Sequence, residues 1–358
     1  MEVINKKYNK KIDSPEKKYL NDHSCLLDIE TTGFSRDYNQ IYMIGLARMI
    51  DDSLDVTLLF AENPDEEKAV LEEFIKHSND ITDFITFNGL SFDFPFIKER
   101  MKHFGYEYDF KAYNHLDIYK ECKCLKSLLK LNNLKQKTIE SFLGLDRDDK
   151  YNGGELIEHY KIYCQCQDEE CYNNLITHNL EDVKGMADIL TILRYTSISR
   201  NIEKADANEL SLDKDNNILL TLSLNTSLPK RFSISGSYYY IVFENDIVNI
   251  ELRPTTDTLK YYLDDYKNYV YIENENAIIP KQLLDSQNKK YATKATKENC
   301  FLSAESTFLP AFNKKLFENE KLFTHSYNDK KCYIDISSHM EDMDYIRNYA
   351  INLIKHEI

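Results

Sequence analysis

The chain has 358 residues, of which 42% are hydrophobic and 29% are charged, and its net charge is −15. This composition is typical of a folded globular protein, and the length suits two domains better than one. The sequence lacks an apolar stretch long enough for a membrane span and an apolar secretory signal, so we expect a cytoplasmic protein. The negative net charge argues against a protein that coats nucleic acid through an overall positive surface. It permits an enzyme in which bound metal ions supply positive charge at the active site.

The eight cysteines are spread along the whole chain. A chain of this size buries enough apolar surface to fold without a disulfide framework. Cys164, Cys166 and Cys171 are close in sequence, but their spacing is not the usual CxxC and no well-placed histidine completes a zinc site. We therefore expect reduced, structural cysteines, with metal binding by this trio as the open alternative.

The first two hundred residues predict elements in the order βββαβα. Residues 1–20 are rich in Lys, Asn and Asp, so we expect a flexible N-terminal arm there. Three short apolar runs, SCLLDIETTGF, QIYMIGLARMI and DVTLLFAEN, predict strands joined by tight turns. PDEEKAVLEEFIKHS predicts a helix, ITDFITF a strand, and FDFPFIKERMKHFG a helix that ends at Gly105. This order favours an α/β domain with an antiparallel βββ start and a mixed sheet flanked by helices, as in ribonuclease-H-like folds.

The composition changes near residue 201, where NIEKADANELSLDKDN is polar and turn-prone. We therefore expect one domain over residues 21–200 and a second over residues 201–358. NILLTLSL, RFSIS, YYYIVF, IVNIEL and YVYIE predict strands, and KYYLDDY and MDYIRNYAINLIKHEI predict helices. The second domain is thus expected to be α+β or mostly β, with a role that its sequence does not indicate. Its many tyrosines suit either base stacking or an ordinary core, and strand alternation favours the core.

Two acidic residues lie at the end of the first predicted strand of the α/β domain. Asp28 and Glu30 are two residues apart, so their side chains point to the same face of the strand. Two carboxylates this close repel each other, and their burial costs free energy unless a divalent cation or another positive charge compensates. The alternative is a pair of solvated acids at a strand end, and this pair by itself favours that alternative.

Three further residues extend this acidic pattern. Asp93 begins a predicted helix among apolar neighbours, where it serves either as a metal ligand or as a helix N-cap. His178 and Asp182 are four residues apart in a predicted helix, so they share one face, although a local surface pair has the same spacing. Together the five residues suit phosphodiester hydrolysis, in which carboxylates bind two hard divalent cations and a histidine takes a proton from the attacking water.

Several motifs resemble a known enzyme group. DIETTG, NGLSFDFP and HNLED resemble the three exonuclease motifs of the DEDD superfamily, and the HxxxD form of the third is similar to the DEDDh subgroup. The intervening segments YMIGLA, HLDIY, KTIESFLGLDRDD and GGELIEHYKIY resemble the YprB-like ribonuclease-H-like family. The resemblance covers about residues 22–195 and does not extend to residues 201–358. One departure is at Gly153-Gly154-Glu155, where the family usually has a proline-containing stretch.

The resemblance implies a 3′→5′ exonuclease that uses two Mg²⁺ or Mn²⁺ ions and acts on single-stranded DNA or RNA 3′ ends. It implies that Asp28 bridges both ions and that His178 is the general base. The implied metal ligands are Asp28, Glu30, Asp93 and Asp182. The implied contacts to the terminal nucleotide are the turn Thr31, Thr32 and Gly33, together with Asn88 and Phe92 near the sugar or base.

A basic stretch follows these motifs in the α/β domain. Residues 120–137 contain six lysines and the single acid Glu121. Lys123, Lys126 and Lys130 fall on one helical face if the segment is helical, which makes them candidates for tracking the phosphates of a strand. A solvated helix face is the alternative, because most charge runs are solvated.

Two other functions remain open on the same fold. One is a non-catalytic nucleic-acid-binding or partner-recruiting module, which the presence of all five expected site residues argues against. The other is a structure-specific endonuclease, which a circular single-stranded substrate would distinguish from an exonuclease. The choice between DNA and RNA depends on contacts to the 2′-hydroxyl that the sequence does not specify.

Overall fold

A computed structural model describes the backbone of residues 1–358 and every side chain except that of Ser14. The chain divides into two compact units, Met1–Ile198 and Ser199–Ile358. That each unit is an independently folding domain remains a prediction. Within the described residues, no helix combines the length and the apolar character that a membrane span requires.

The first unit is built on a six-stranded mixed sheet with the order β1-β4-β3-β2-β5-β6. Its strands are β1 (Glu2–Asn9), β2 (Ser24–Thr31), β3 (Ile41–Ile50), β4 (Ser53–Phe60), β5 (Asp83–Thr86) and β6 (Asn114–Asp117). Strands β1 to β4 pair antiparallel, whereas β5 pairs parallel with both β2 and β6. The predicted antiparallel start and mixed sheet are therefore confirmed, and β2 lies in the interior of the sheet.

Helices flank this sheet, as the sequence predicts. They are α1 (Ser14–Lys17), α2 (Glu67–His77), α3 (Asp93–His103), α4 (Ile118–Glu121), α5 (Leu125–Leu128), α6 (Gln136–Leu143), α7 (Gly153–Cys166), α8 (Glu169–Ile189) and α9 (Leu193–Asn201). The predicted helix start near Pro64 is a short 3₁₀ turn, and α2 itself begins at Glu67. The chain leaves α3 through Gly105, whose φ of +82° suits a residue without a Cβ.

The N-terminal residues correct the expectation of a flexible arm over residues 1–20. Strand β1 pairs with β4 along its whole length, from Glu2 opposite Phe60 to Asn9 opposite Ser53. Lys and Asn side chains suggested a loose segment, but backbone pairing does not require apolar side chains. Strands at the edge of a sheet commonly carry charged side chains, which oppose pairing with a strand of another molecule.

The second unit contains three antiparallel sheets and one long helix. The first sheet has the order β7-β8-β11-β10-β9, the second β12-β16-β17 and the third β14-β13-β15. The strands are β7 (Asp206–Leu212), β8 (Ile218–Ser223), β9 (Phe232–Gly236), β10 (Tyr239–Glu244), β11 (Ile247–Leu252), β12 (Thr255–Tyr262), β13 (Tyr269–Ile272), β14 (Ala277–Pro280), β15 (Ala292–Lys294), β16 (Phe301–Pro310) and β17 (Tyr333–Asp335). Helix α10 (Met343–Glu357) ends the unit, which confirms the expected α+β or mostly-β class.

The segment KYYLDDY is a strand and turn instead of the predicted helix. Lys260, Tyr261 and Tyr262 form the end of β12 and pair with Ser303, Leu302 and Phe301 of β16. A run this short carries no reliable helical periodicity, so the pairing with β16 decides its conformation.

Gly45 lets helix α8 lie unusually close to the sheet. In β3 it is opposite Asp28 of β2. A Cβ atom at residue 45 would lie 2.2 Å from Oδ1 of Asn179 and 3.0 Å from Cγ1 of Val183, and both of those residues are on α8 and fully buried. The absence of a side chain at this position thus brings α8 within reach of the carboxylates on β2.

We expect Gly45→Ala to lower the free energy of unfolding by about 1–3 kcal/mol, because the added methyl group displaces Asn179 or the helix. Urea denaturation followed by circular dichroism measures this change. Gly153→Ala is the matched control, since no atom lies within 4 Å of a Cβ there. Equal stability of the two variants would contradict the proposed close approach.

Candidate metal centre

Asp28 and Glu30 lie on the central strand β2 and are held from different sides. Asn179 of α8 donates a hydrogen bond from Nδ2 to Oδ2 of Asp28 at 2.7 Å. The hydroxyl of Tyr42 on β3 lies 3.5 Å from Oε2 of Glu30. The pairing of β2 with β3 becomes irregular between Glu30 and Thr31, so the regular strand ends directly after these two acids.

Asp93 is the first residue of α3, and its side chain reaches back to β2. One carboxylate oxygen accepts a hydrogen bond from the backbone N–H of Ile29 at 3.1 Å. Ile29 lies between Asp28 and Glu30 in the sequence, and the Asp93 side chain is almost fully buried. Asp93 therefore joins the helix to the acidic end of β2.

Helix α8 brings His178 and Asp182 to the same place. Nε2 of His178 lies 3.3 Å from Oε1 of Glu30 and 3.2 Å from Oδ2 of Asp182. One donor atom from each of these three residues lies within 4.8 Å of the other two, a spacing that suits a single metal ion. We call Asp28, Glu30, Asp93 and Asp182 the carboxylate cluster. Asp28 and Asp93 belong to the carboxylate cluster, but they are not part of the compact triad of Glu30, His178 and Asp182.

The carboxylate cluster carries an electrostatic strain that a cation would relieve. Burial raises the pKa of Asp28 well above its usual value, and the charges of Asp182, Asp93 and Glu30 add to this effect. Burial also raises the pKa of Glu30 to about 7, against the opposing influence of His178. For Asp93 burial likewise raises the pKa to about 7. Buried oxygen donors that resist ionisation in this way fit a hard divalent cation, because its charge favours the ionised form of each.

Arg147 contacts the carboxylate cluster from the loop between α6 and α7, and sequence reasoning did not find it. One guanidinium nitrogen lies 2.6 Å from Oδ1 of Asp182 and 3.2 Å from Oδ2 of Asp149. The other terminal nitrogen lies 3.0 and 3.1 Å from the two carboxylate oxygens of Glu140. The Arg147 side chain is buried, so it neutralises part of the local negative charge away from water.

Asp149 is a second residue that the sequence did not reveal. Its Oδ2 accepts a hydrogen bond from Nδ1 of His178 at 2.9 Å and lies 2.7 Å from the ammonium of Lys137. Burial alone would raise the pKa of Asp149, but the hydrogen bonds from His178 and Lys137 outweigh it and hold the pKa below its usual range. Asp149 therefore remains a carboxylate that orients the imidazole ring.

The contacts of His178 with nearby carboxylates also change its own pKa. Burial alone would lower its pKa, but the hydrogen bond to Asp149 and the charges of Glu30 and Asp182 raise it instead.

The segment DRDD contains both Arg147 and Asp149, and it is part of the family resemblance. In the sequence, however, it has the composition of a solvated loop. Only the packing of that loop against α8 gives it a place at the site.

The residues expected to contact a terminal nucleotide lie in two ordered loops. After β2, the hydroxyl of Thr31 donates to the carbonyl oxygen of Gly33 at 2.8 Å, and Oγ1 of Thr32 accepts from the N–H of Gln40 at 2.9 Å. After β5, Asn88 has a φ of +69° and its N–H donates to Asp117 at 2.9 Å. The half-buried ring of Phe92 lies 6.5 Å from that of Phe34, which is 85% exposed.

The three lysines expected on one helical face do not share one. The segment divides into α4, a 3₁₀ turn over Cys122–Cys124, and the short helix α5. Lys123 lies in the 3₁₀ turn, Lys126 in α5, and Lys130 beyond α5 with a φ of +52°. Cys122 and four leucines of the segment are buried, so the chain turns repeatedly toward the core and does not form one continuous helix.

The cysteines show no sign of a second metal site within the described residues. All eight are free thiols, and the potential metal-binding group is the triad of Glu30, His178 and Asp182. Cys164 is half-buried, Cys166 exposed and Cys171 buried. The hypothesis of metal binding by these three cysteines therefore gains no support from their placement.

Several solved structures show partial similarity to the chain. The family B DNA polymerase from the hyperthermophilic archaeon Pyrobaculum calidifontis has a TM-score of 0.36 and 14% identity, over 68% of this chain and 35% of the polymerase chain. Exonuclease I of E. coli in complex with a 5cy-dT13 oligonucleotide has a TM-score of 0.32 and 10% identity, over 93% of this chain and 71% of its own. Similarity at these TM-scores carries no argument about function.

Sequence comparison is more informative for the first unit. The uncharacterized protein YprB of Bacillus subtilis (strain 168) is 26% identical over 189 residues, which cover 52% of this chain and 44% of YprB. The chain thus matches less than half the length of that relative. Residues 25–194 match the family described as the RNase_H superfamily. Together with the strand order, this match identifies residues 25–194 as a ribonuclease-H-like domain, and the same region is similar to part of YprB.

Proposed function

We propose that the chain is a metal-dependent 3′→5′ exonuclease that hydrolyses phosphodiester bonds at the 3′ ends of single-stranded nucleic acid. The observation that carries this proposal is the convergence of four carboxylates and His178 at the end of β2, with donor atoms of Glu30, His178 and Asp182 within 4.8 Å of one another. Carboxylate oxygens are the preferred ligands of Mg²⁺ and Mn²⁺. Nucleic acid, a polyanion, then approaches an acidic site whose charge the ions reverse.

In this proposal the four acids of the carboxylate cluster would hold two Mg²⁺ or Mn²⁺ ions. When bound, such ions polarise the attacking water and neutralise charge on the phosphate. The buried amide of Asn179 fixes one oxygen of Asp28, and the N–H of Ile29 fixes one oxygen of Asp93. The remaining oxygens are therefore oriented before a cation arrives, which lowers the entropic cost of binding it.

His178 is the proposed general base, and Asp149 is its positioning residue. Because Nδ1–H of His178 donates to Asp149, the tautomer with a free Nε2 is favoured. Nε2 faces Glu30 and Asp182, so it lies where a water held by those acids would release a proton. After the transfer, the buried carboxylate of Asp149 stabilises the imidazolium.

The exposed aromatic side chain next to β2 supports contact with a strand end. Phe34 follows the turn formed by Thr31, Thr32 and Gly33, and its ring is 85% exposed. It lies in an edge-to-face arrangement with Phe92, which directly precedes Asp93. An aromatic pair beside the carboxylate cluster offers a stacking surface for a terminal base, whatever the base.

We expect Asp182→Ala to abolish Mg²⁺- or Mn²⁺-dependent release of mononucleotides from end-labelled single strands. Asp188→Asn is the matched control, because Asp188 is on the same helix but pairs with Lys10. A circular single strand should remain intact, since an exonuclease requires an end. Cleavage of the circle would favour an endonuclease, and binding without any cleavage would favour a non-catalytic module.

Replacement of Asp28 by Asn should change stability in opposite directions with and without metal. At pH 8 in EDTA, Asp28→Asn should raise the free energy of unfolding by about 1–3 kcal/mol, because one buried charge disappears. Because the pKa of Asp28 is raised in the folded state, the native unaltered protein takes up a proton on Asp28 as the pH falls. The difference in stability between the variant and the unaltered protein should therefore shrink toward pH 5. With Mn²⁺ the variant should be the less stable protein. Denaturation at both pH values tests this, and an unchanged difference would contradict it.

Asp149→Asn should lower kcat by about 10²–10⁴-fold, the range for loss of general base function, with little change in KM. Metal affinity, measured by calorimetry with Mn²⁺, should stay close to that of the unaltered protein because Asp149 is not a ligand. In ¹⁵N spectra of the metal-free protein at alkaline pH, where the His178 ring is neutral, the ring should lose its preference for the Nδ1–H tautomer. A large fall in metal affinity, or an unchanged tautomer, would instead indicate a purely structural role.

A further inference from the structure

A groove of about 630 Å³ lies beside the end of the sheet formed by β5 and β6. One wall carries Phe87 and Asn88, which directly follow β5, and Tyr119, which follows β6. The other wall carries Lys126 of α5, together with Lys135 and Gln136 at the start of α6. Among the described residues that line the groove none is acidic, in a chain whose net charge is −15.

Both walls of this groove connect to the carboxylate cluster. The side-chain amide of Gln136 donates to the backbone carbonyl oxygen of Asp182 at 2.9 Å. On the other wall, the loop from Asn88 leads within five residues to Asp93. Asp117 holds that loop by accepting from the N–H groups of Asn88 at 2.9 Å and Leu90 at 3.3 Å. The groove therefore opens next to the proposed catalytic residues and has an ordered wall.

The chemistry of the groove suits an unpaired nucleotide chain. The half-buried ring of Tyr119 lies 6.0 Å from the ring of Phe87 in an edge-on arrangement, and the ammonium of Lys123 lies 5.2 Å from the Tyr119 ring centroid. An aromatic ring placed this way stacks with a base of any identity. Lys126 and Lys135 are exposed cations, and the amides of Asn88 and Gln136 offer both donors and acceptors. A duplex hides its base faces, so it would not gain the stacking energy.

We propose that this groove binds the single-stranded segment on the 5′ side of the scissile bond, with a base on Tyr119 and phosphates on Lys126 and Lys135. The proposal rests on the exonuclease function proposed above and adds the path of the strand. It also assigns the preference for single strands to Tyr119. Either DNA or RNA can bind in this groove, because neither base stacking nor contact with the phosphates requires the 2′-hydroxyl.

Binding in the absence of cleavage tests this path. Fluorescence anisotropy of the full chain in EDTA should use 5′-labelled oligothymidine, oligouridine and a blunt duplex. We expect Tyr119→Ala to weaken binding of both single strands by about five- to hundred-fold, the range for loss of one stacked base, and to leave the duplex unaffected. Tyr119→Phe keeps the ring and should restore binding. A loss confined to one of the two homopolymers would identify that nucleic acid as the ligand.

The double variant Lys126→Ala/Lys135→Ala should weaken binding and flatten its salt dependence by about 0.7 per lost phosphate contact in the slope of log K against log[salt]. Lys6→Ala is the matched control, because β1 and β6 are at opposite edges of the sheet, about 24 Å apart at about 4.8 Å per strand. The proposed path would be wrong if both groove variants bound the single strands as tightly as Lys6→Ala does. It would also be wrong if the unaltered protein did not bind them.

The two proposals fail in different ways. One result would be that the unaltered protein and both groove variants release mononucleotides with the same KM. That result would support the exonuclease proposal and contradict the proposed binding of the strand in the groove. Weakened binding in the groove variants, with no release by the unaltered protein in Mg²⁺ or Mn²⁺, would support the groove and overturn the exonuclease.

Discussion

The mutual repulsion within the carboxylate cluster is the constraint around which the first unit is arranged. Glu30 and Asp93 are buried, and Asp28 and Asp182 are half-buried. All four acids are directed to the end of β2, where burial raises the pKa of Asp28, Glu30 and Asp93. Such an arrangement costs free energy that the fold must offset elsewhere. The surrounding donors reduce this cost only in part, and a bound cation would remove most of the remainder.

Those donors come from three different parts of the chain. Asn179 is on the helix, the N–H of Ile29 is on the strand, and Arg147 is in the loop after α6. The contact from Asn179 depends on the short distance between α8 and β3 that Gly45 permits. Oδ1 of Asn179 is buried without a hydrogen-bond partner in the described structure, so even this well-packed contact retains a local cost. Under the proposed function, this site would accept some loss of stability for its chemistry.

The sequence predicted those parts of the fold and site that depend on local spacing. The order βββαβα followed from short apolar runs, and the shared direction of Asp28 and Glu30 followed from strand alternation. The helical pair His178 and Asp182 followed in the same way from a separation of four residues. Whether all five residues perform the proposed chemistry remains a prediction, although the structure brings them together.

The remaining features were not predictable because tertiary packing decides them. Asp149 acquires a role only when its loop lies against α8, and nothing in the letters DRDD specifies that contact. Strand β1 was missed because pairing with β4 does not require an apolar sequence. The basic stretch was misjudged because its buried residues, such as Cys122 and Leu125, bend the chain away from a single helix.

The pairing of β1 with β4 has a practical consequence for shortening the chain. The matched family region begins at residue 25, so a trimmed fragment designed from homology alone would lack β1. The hydrogen-bonding groups of β4, a strand with three leucines, would then be open along one side. An uncovered apolar strand of this kind recruits strands from other molecules, so such a fragment would tend to self-associate and precipitate even with every site residue present.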